Sequence, residues 1–173
     1  MGMFLGGWLV MVGVAMLPAT LPAARLVGVA RGHAHAFVFL SGYATVWIAI
    51  GAVGYLVFSP LSSNVRWAGA GVALAVTAAY ELSPVKEACL RRCRSPLRIL
   101  LQPTLVGAVR HAVDCAGCCV FLMALMVALG LMSIVWALVL AAVLLVQKAA
   151  PFGERSPRLL ASGLAAAALV SWI

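Results

Sequence analysis

This sequence predicts an all-α polytopic membrane fold, a bundle of about six transmembrane helices, and three observations lead there. Hydrophobic residues make up 65% of the 173 and charged residues only 9%, against about a quarter in a typical soluble domain. The apolar residues fall into stretches near the roughly 20 that cross a bilayer as helix. Lysine and arginine collect in alternate connections between those stretches. Six spans use about 120 residues and leave about 50 for loops. The chain 1–173 therefore reads as a single transmembrane domain without a separate soluble one.

The first span covers about 3–21, with Pro18 and Pro22 ending or kinking it. It lacks a basic n-region and reads as a retained helix rather than a signal peptide. Residues 23–35 form a polar link, and a second span follows at about 36–58. The run Ser59-Pro60-Leu61-Ser62-Ser63-Asn64 is a turn signal before a third span at about 67–82. The long charged connection 83–109 leads to a fourth span at about 110–129. Gly130 then turns the chain into a fifth at 131–147, and 159–173 is the sixth. Within the long connection, Ser83 can cap a short amphipathic helix that has Pro84 in its first turn and Pro96 as its stop.

Eleven of the twelve basic residues lie in the first-to-second, third-to-fourth and fifth-to-sixth connections, and only Arg66 lies opposite. The positive-inside rule then places those three connections in the cytoplasm and both termini outside a bacterial cytoplasmic (inner) membrane. The net charge of +8 thus belongs with anionic headgroups of the lipid bilayer. No basic tract with interleaved aromatics points to nucleic acid.

Five cysteines form two groups. Cys89 and Cys93 are four apart on the short helix and share a face, with the arginines on the other. His111, Cys115 and either Cys118 or Cys119 share a face at the start of the fourth span, and Cys119, Met123 and Met126 continue a sulfur stripe inward. Met11 and Met16 on the first span can add to that stripe. One helix cannot surround a metal, so a closed site needs donors from a second element, and Cys89 and Cys93 are the obvious supply. Thiolate and thioether donors favour Cu(I), and Cys/His sets also suit zinc. Plain packing is the bland reading, because cysteine and methionine both fill apolar interiors and Gly117 suits close helix contact. Cys115-Ala116-Gly117-Cys118 is also a CxxC near a helix N-terminus, which is redox chemistry, although a cytoplasmic position argues against it. His33 and His35 read as solvated link residues, Glu81 as facing the interface, and Asp114 as the partner of Arg110.

The sequence resembles the bacterial domain-of-unknown-function family described as predicted metal-binding integral membrane proteins. The resemblance rests on Trp8 through Pro22, Ser41 to Trp47, Tyr80-Glu81-Leu82-Ser83-Pro84-Val85-Lys86 running into Cys89-Leu90-Arg91-Arg92-Cys93-Arg94-Ser95-Pro96, Arg110-His111 with Cys115-Ala116-Gly117-Cys118-Cys119, and Gly130-Leu131-Met132. It implies a metal site at the five cysteines and His111. Three positions depart from the family pattern: Gln147 stands where an acid precedes the lysine, Val120 where an aromatic follows the cysteines, and Asp114 where a tyrosine is common.

The expected function is Cu(I)-type handling or delivery, with zinc second, at Cys89, Cys93, His111, Cys115, Cys118, Cys119, Met123 and Met126. Two alternatives use the same residues: a small accessory subunit covered by partner membrane subunits or by copies of itself, and a membrane thiol–disulfide oxidoreductase. No hydrolase triad, phosphate loop or paired-carboxylate site is present, so an enzyme is not favoured. Metal handling requires the two cysteine groups to meet in space. The redox reading requires a quinone-sized pocket beside Cys115 and Cys118.

Overall fold

A computed structural model describes residues 2–59, 70–95, 97–129, 134–149 and 161–165. The described residues form helices and no strands. Helix α1 (Gly2–Met11) passes through a π turn (Val12–Met16) into α2 (Leu17–Arg31) without leaving helical geometry. At the junction the Leu17 N–H reaches back five residues to the Val12 carbonyl. Proline has no N–H to continue an α-helical ladder. The wider turn makes Leu17 the first residue of a new helix and sets Pro18 in its first turn, where a missing N–H costs nothing.

The expected end of the first span at residue 21 is therefore corrected. The helix accommodates Pro22 and runs to Arg31, because Ala23, Ala24, Arg25 and Leu26 are strong helix formers. Only Gly32, at φ 96, interrupts before the next helix, and glycine is the residue that takes this backbone region without a steric penalty. The polar link 23–35 is thus helix on both sides of one glycine. His33 and His35 sit exposed in the first turn of α3 (His33–Phe58).

Helix α4 spans Ala70–Glu81, and the turn signal at 60–64 falls outside the described residues. The connection expected at 83–109 holds two helices, α5 (Pro84–Cys93) and α6 (Leu97–Leu100), and then the first turns of α7 (Thr104–Ala128). The Ser83 side chain accepts a hydrogen bond from the Lys86 N–H at 3.2 Å, which caps α5. Pro96, expected to stop that helix, lies outside the described residues, as does the Gly130 turn. Helix α8 is Ile134–Ala149. Of the sixth span only 161–165 are described, and these are helical.

Among the described residues, three helices are long and apolar enough to cross a membrane: Gly6–Arg31, His33–Phe58 and Thr104–Val127. Gly71–Glu81 and Val135–Gln147 are apolar but shorter. Six full spans are not reached among the described residues.

Helix α7 is the centre of the fold, packed chiefly against α3 and α5. The main core joins it to Trp8, Met11 and Met16 from the first helical run, Tyr43 and Trp47 from α3, and Leu140 and Leu144 from α8. Gly42 of α3 lets the chains approach closely: a Cβ there would stand 2.9 Å from Leu105 Cδ1 and 3.1 Å from Ala108 Cβ. The basic end of the bundle is tied by Arg31. Its guanidinium donates to the Leu100 carbonyl at 2.6 Å, the Gln102 carbonyl at 2.8 Å and Thr104 Oγ1 at 3.2 Å. Charge-assisted bonds of this kind satisfy carbonyls at a helix end that have no partner inside the helix.

Trp8 lies across Gly51 of α3 and donates its indole N–H to the Trp47 carbonyl at 2.9 Å. A Cβ at Gly51 would overlap the indole ring, whereas one at Gly54 meets nothing within 4 Å. Gly51→Ala is therefore expected to cost about 1–3 kcal/mol by displacing a rigid ring from a packed core. Thermal unfolding in mild detergent should show a lowered midpoint for Gly51→Ala and an unchanged one for Gly54→Ala.

Candidate metal centre

Successive residues of a helix turn by about 100°, so Cys115, Cys119 and Met123 of α7 project along one face. The structure turns that face toward the π turn and α3. Cys115 Sγ lies 3.1 Å from the Tyr43 hydroxyl and 4.0 Å from Met16 Sδ. Cys119 Sγ lies 3.8 Å from the same Met16 sulfur and 4.0 Å from Met123 Sδ, and it donates to the Cys115 carbonyl at 3.0 Å. All four sulfur-bearing residues are at most 1% exposed. Met11 and Met126 belong to the same apolar core. Among the described residues no three His, Cys, Asp or Glu side chains converge to hold an ion. What converges here is two thiols and two thioethers.

Cys118 is rotated off this face, toward α5. A Cβ at Gly117 would stand 2.6 Å from Cys89 Sγ, so the thiol of Cys89 rests directly on the α7 backbone, beside Cys118. Tyr80 fixes the same stretch by donating to the Gly117 carbonyl at 2.6 Å, its ring stacked on Phe121. Burial pushes the Cys89 thiol up from its ordinary value; Cys118 and Asp114 push the same way, and Arg92 opposes them. A neutral thiol must therefore release its proton before it serves as a metal ligand. None of the five cysteines is in a disulfide.

Cys93, one turn beyond Cys89, reaches a different place. With His111 it lines a cavity of about 500 Å³ walled by Pro18, Pro22 and Leu26 of α2. The His111 ring packs between Phe39 and Tyr43, at 5.8 Å from each.

The eight sequence-predicted donors thus divide. Cys115 and Cys119 meet Met16, and Met123 meets Cys119; Cys89 lies beside Cys118; Cys93 and His111 share a cavity; Met126 lies further along α7 in the same core. The two thiols of the CxxC spacing, Cys115 and Cys118, face different neighbours. Tyr43 is the site residue the sequence reading missed. Its signal was a hydroxyl in an apolar stretch, which needs a polar partner once buried.

Two ion-pair expectations are corrected. Asp114 faces Arg92 at 3.9 Å, not Arg110, because α5 lies along α7 and brings Arg92 over it. Glu81 does not face the interface: it is buried and paired with Lys86, and it accepts from Gln147 Nε2 at 3.3 Å. The pair joins α4 to α5, and Gln147 ties α8 to it, which holds α5 where Cys89 meets Gly117 of α7.

The fold and the site describe an all-helical protein with membrane-length helices and a buried cluster of soft sulfur donors. A family model described as PpoB2, copper chaperone, matches residues 5–171, and the chain belongs to that family. Neither a curated protein nor a solved structure matches it.

Removing one partner of a buried ion pair leaves an uncompensated charge and costs about 3–5 kcal/mol. Glu81→Gln should therefore lower the thermal midpoint strongly, while Glu81→Gln with Lys86→Met should recover most of the loss. Solvent accessibility of Cys89 to a maleimide, followed by mass spectrometry, should rise in the single variant and fall back in the double.

Proposed function

We propose that this chain is an integral protein of the bacterial cytoplasmic membrane that binds Cu(I) at Cys115, Cys119, Met16 and Met123 and hands it on. The observation that carries this reading is Met16 Sδ standing 4.0 Å from Cys115 Sγ and 3.8 Å from Cys119 Sγ, with Met123 Sδ 4.0 Å from Cys119. Metal–sulfur bonds of about 2.3 Å give sulfur–sulfur edges of roughly 3.8–4.0 Å around a tetrahedral or trigonal centre. Three sulfur–sulfur separations of the cluster, Met16 to Cys115, Met16 to Cys119 and Cys119 to Met123, therefore stand at coordination spacing. Two thioethers beside two thiols select a soft monovalent ion; zinc takes its donors from cysteine, histidine and carboxylate. The copper-chaperone description of the family supports the same ion.

Membrane insertion is supported by the three long apolar helices and by the one-sided distribution of basic residues. Arg31 bonded to residues 100–104 brings two of the basic connections to one end of the bundle.

Protein purified in mild detergent and loaded anaerobically should hold about one Cu(I) per chain, with a sulfur-only shell by X-ray absorption. Cys115→Ser with Cys119→Ser should abolish it, and Met16→Leu should weaken affinity about tenfold. Full copper content in the double variant, or a shell of nitrogen and oxygen, would overturn the assignment.

A further inference from the structure

The inner cluster is sealed, so copper must be received elsewhere. The cavity beside it has the size of a small-ligand site: about 500 Å³, within the range of roughly 300–1,000 Å³ that such sites occupy. Its walls are apolar where α2 contributes Pro18, Pro22 and Leu26, and its functional groups are Cys93, Arg94 and His111. An adjoining pocket of about 30 Å³ shares Ile99 and His111 with it and carries Arg92, Arg98 and Arg110 against one carboxylate, Asp114.

A thiol and the Arg94 guanidinium at an apolar cavity, with three more arginines around the adjoining pocket, together suit one chemical class of carrier. We propose that the cavity receives Cu(I) as its complex with a small anionic thiol bearing a carboxylate. This rests on the Cu(I) reading of the inner cluster. The carrier's carboxylate meets Arg94, and its metal-bearing sulfur meets Cys93. The exchange is a ligand substitution without redox change. The Cys93 sulfur bonds to copper, the copper–carrier sulfur bond breaks, and the Cys93 proton leaves with the carrier as its thiol. Copper stays monovalent throughout. Two side chains, His111 and Tyr43, then separate Cys93 from the inner cluster: His111 packs on Tyr43, and the Tyr43 hydroxyl touches Cys115 Sγ.

The test compares two sources of Cu(I) offered to the full chain in mild detergent: the glutathione complex and the acetonitrile complex. Uptake is followed by copper co-eluting with protein after rapid desalting. Arg94→Ala should slow uptake from the glutathione complex about tenfold and leave uptake from acetonitrile within about twofold, which also shows that the variant is folded. Cys93→Ser should slow the glutathione arm similarly. S-methylglutathione, which keeps the charges and lacks the thiol, should inhibit the glutathione arm alone. Equal slowing of both arms by Arg94→Ala, or an unchanged glutathione rate in Cys93→Ser, would overturn the cavity assignment. Wild-type uptake from acetonitrile but not from glutathione would also overturn it while leaving the inner cluster standing. Uptake from neither source would overturn both.

Discussion

The geometry of the sulfur cluster depends on a hydrogen bond that Pro18 cannot make. Without a proline N–H at that position, a regular α-helix would leave a carbonyl unpaired and force the ring against the preceding turn. The chain answers by widening the helix over Val12–Met16. That wider turn ends at Met16, and it aims the Met16 sulfur between Cys115 and Cys119 of a helix distant in sequence. A regular helix through the same residues would shift every side chain before the proline by about 100° relative to those after it. π turns often occur at functional sites for this reason: one inserted residue re-aims a side chain without breaking the helix.

The second helix on which the arrangement depends, α5, is held by polar rather than apolar means. Its sequence is too charged to bury a full face, yet it lies on α7 with Cys89 against Gly117. The glycine removes the Cβ that would keep the helices apart, and the buried pair of Glu81 and Lys86 sets the register. A buried ion pair is weak support for stability, since desolvation of both charges offsets their attraction. Its value lies in selectivity, because few alternative placements of α5 satisfy both charges and the Gln147 amide together. Gln147 itself, one of the departures from the family pattern, supplies an amide donor to Glu81. A carboxylate there would set two acids against one lysine.

Chemically, the inner cluster combines thioethers, which carry no charge, with two thiols. A buried charge is expensive in an apolar interior. Two thiolates around one Cu(I) leave a net charge of about −1 in place of the bare +1 ion, and the thioethers add donors without adding charge. The proposed handover from an outer thiol to this cluster keeps the charge on sulfur-bound copper instead of exposing a bare cation to the apolar core.

Much of the site was legible in the sequence because helix periodicity is local. Cys115, Cys119 and Met123 fall on one face by spacing alone, and Ser83 with Pro84 announces the start of α5. All-helical class and apolar helices follow from composition, which no tertiary detail can reverse. Other features depend on residues far apart in the chain. The prolines of the first span mark trouble for a helix, but only packing against α7 and α8 decides that the helix continues through a π turn. Asp114 has Arg110 as its local partner, and only the docking of α5 supplies Arg92 instead. Glu81 reads as interfacial until α5 and α8 close over it. Sequence by itself determined the helical class, the basic asymmetry and the choice of soft donors, since each follows from residue type and short-range spacing. The tertiary structure alone decided that the cysteines divide among three neighbourhoods, because Cys118 and Cys119 are adjacent in sequence and 100° apart around the helix, and only the positions of the surrounding helices determine what each one meets.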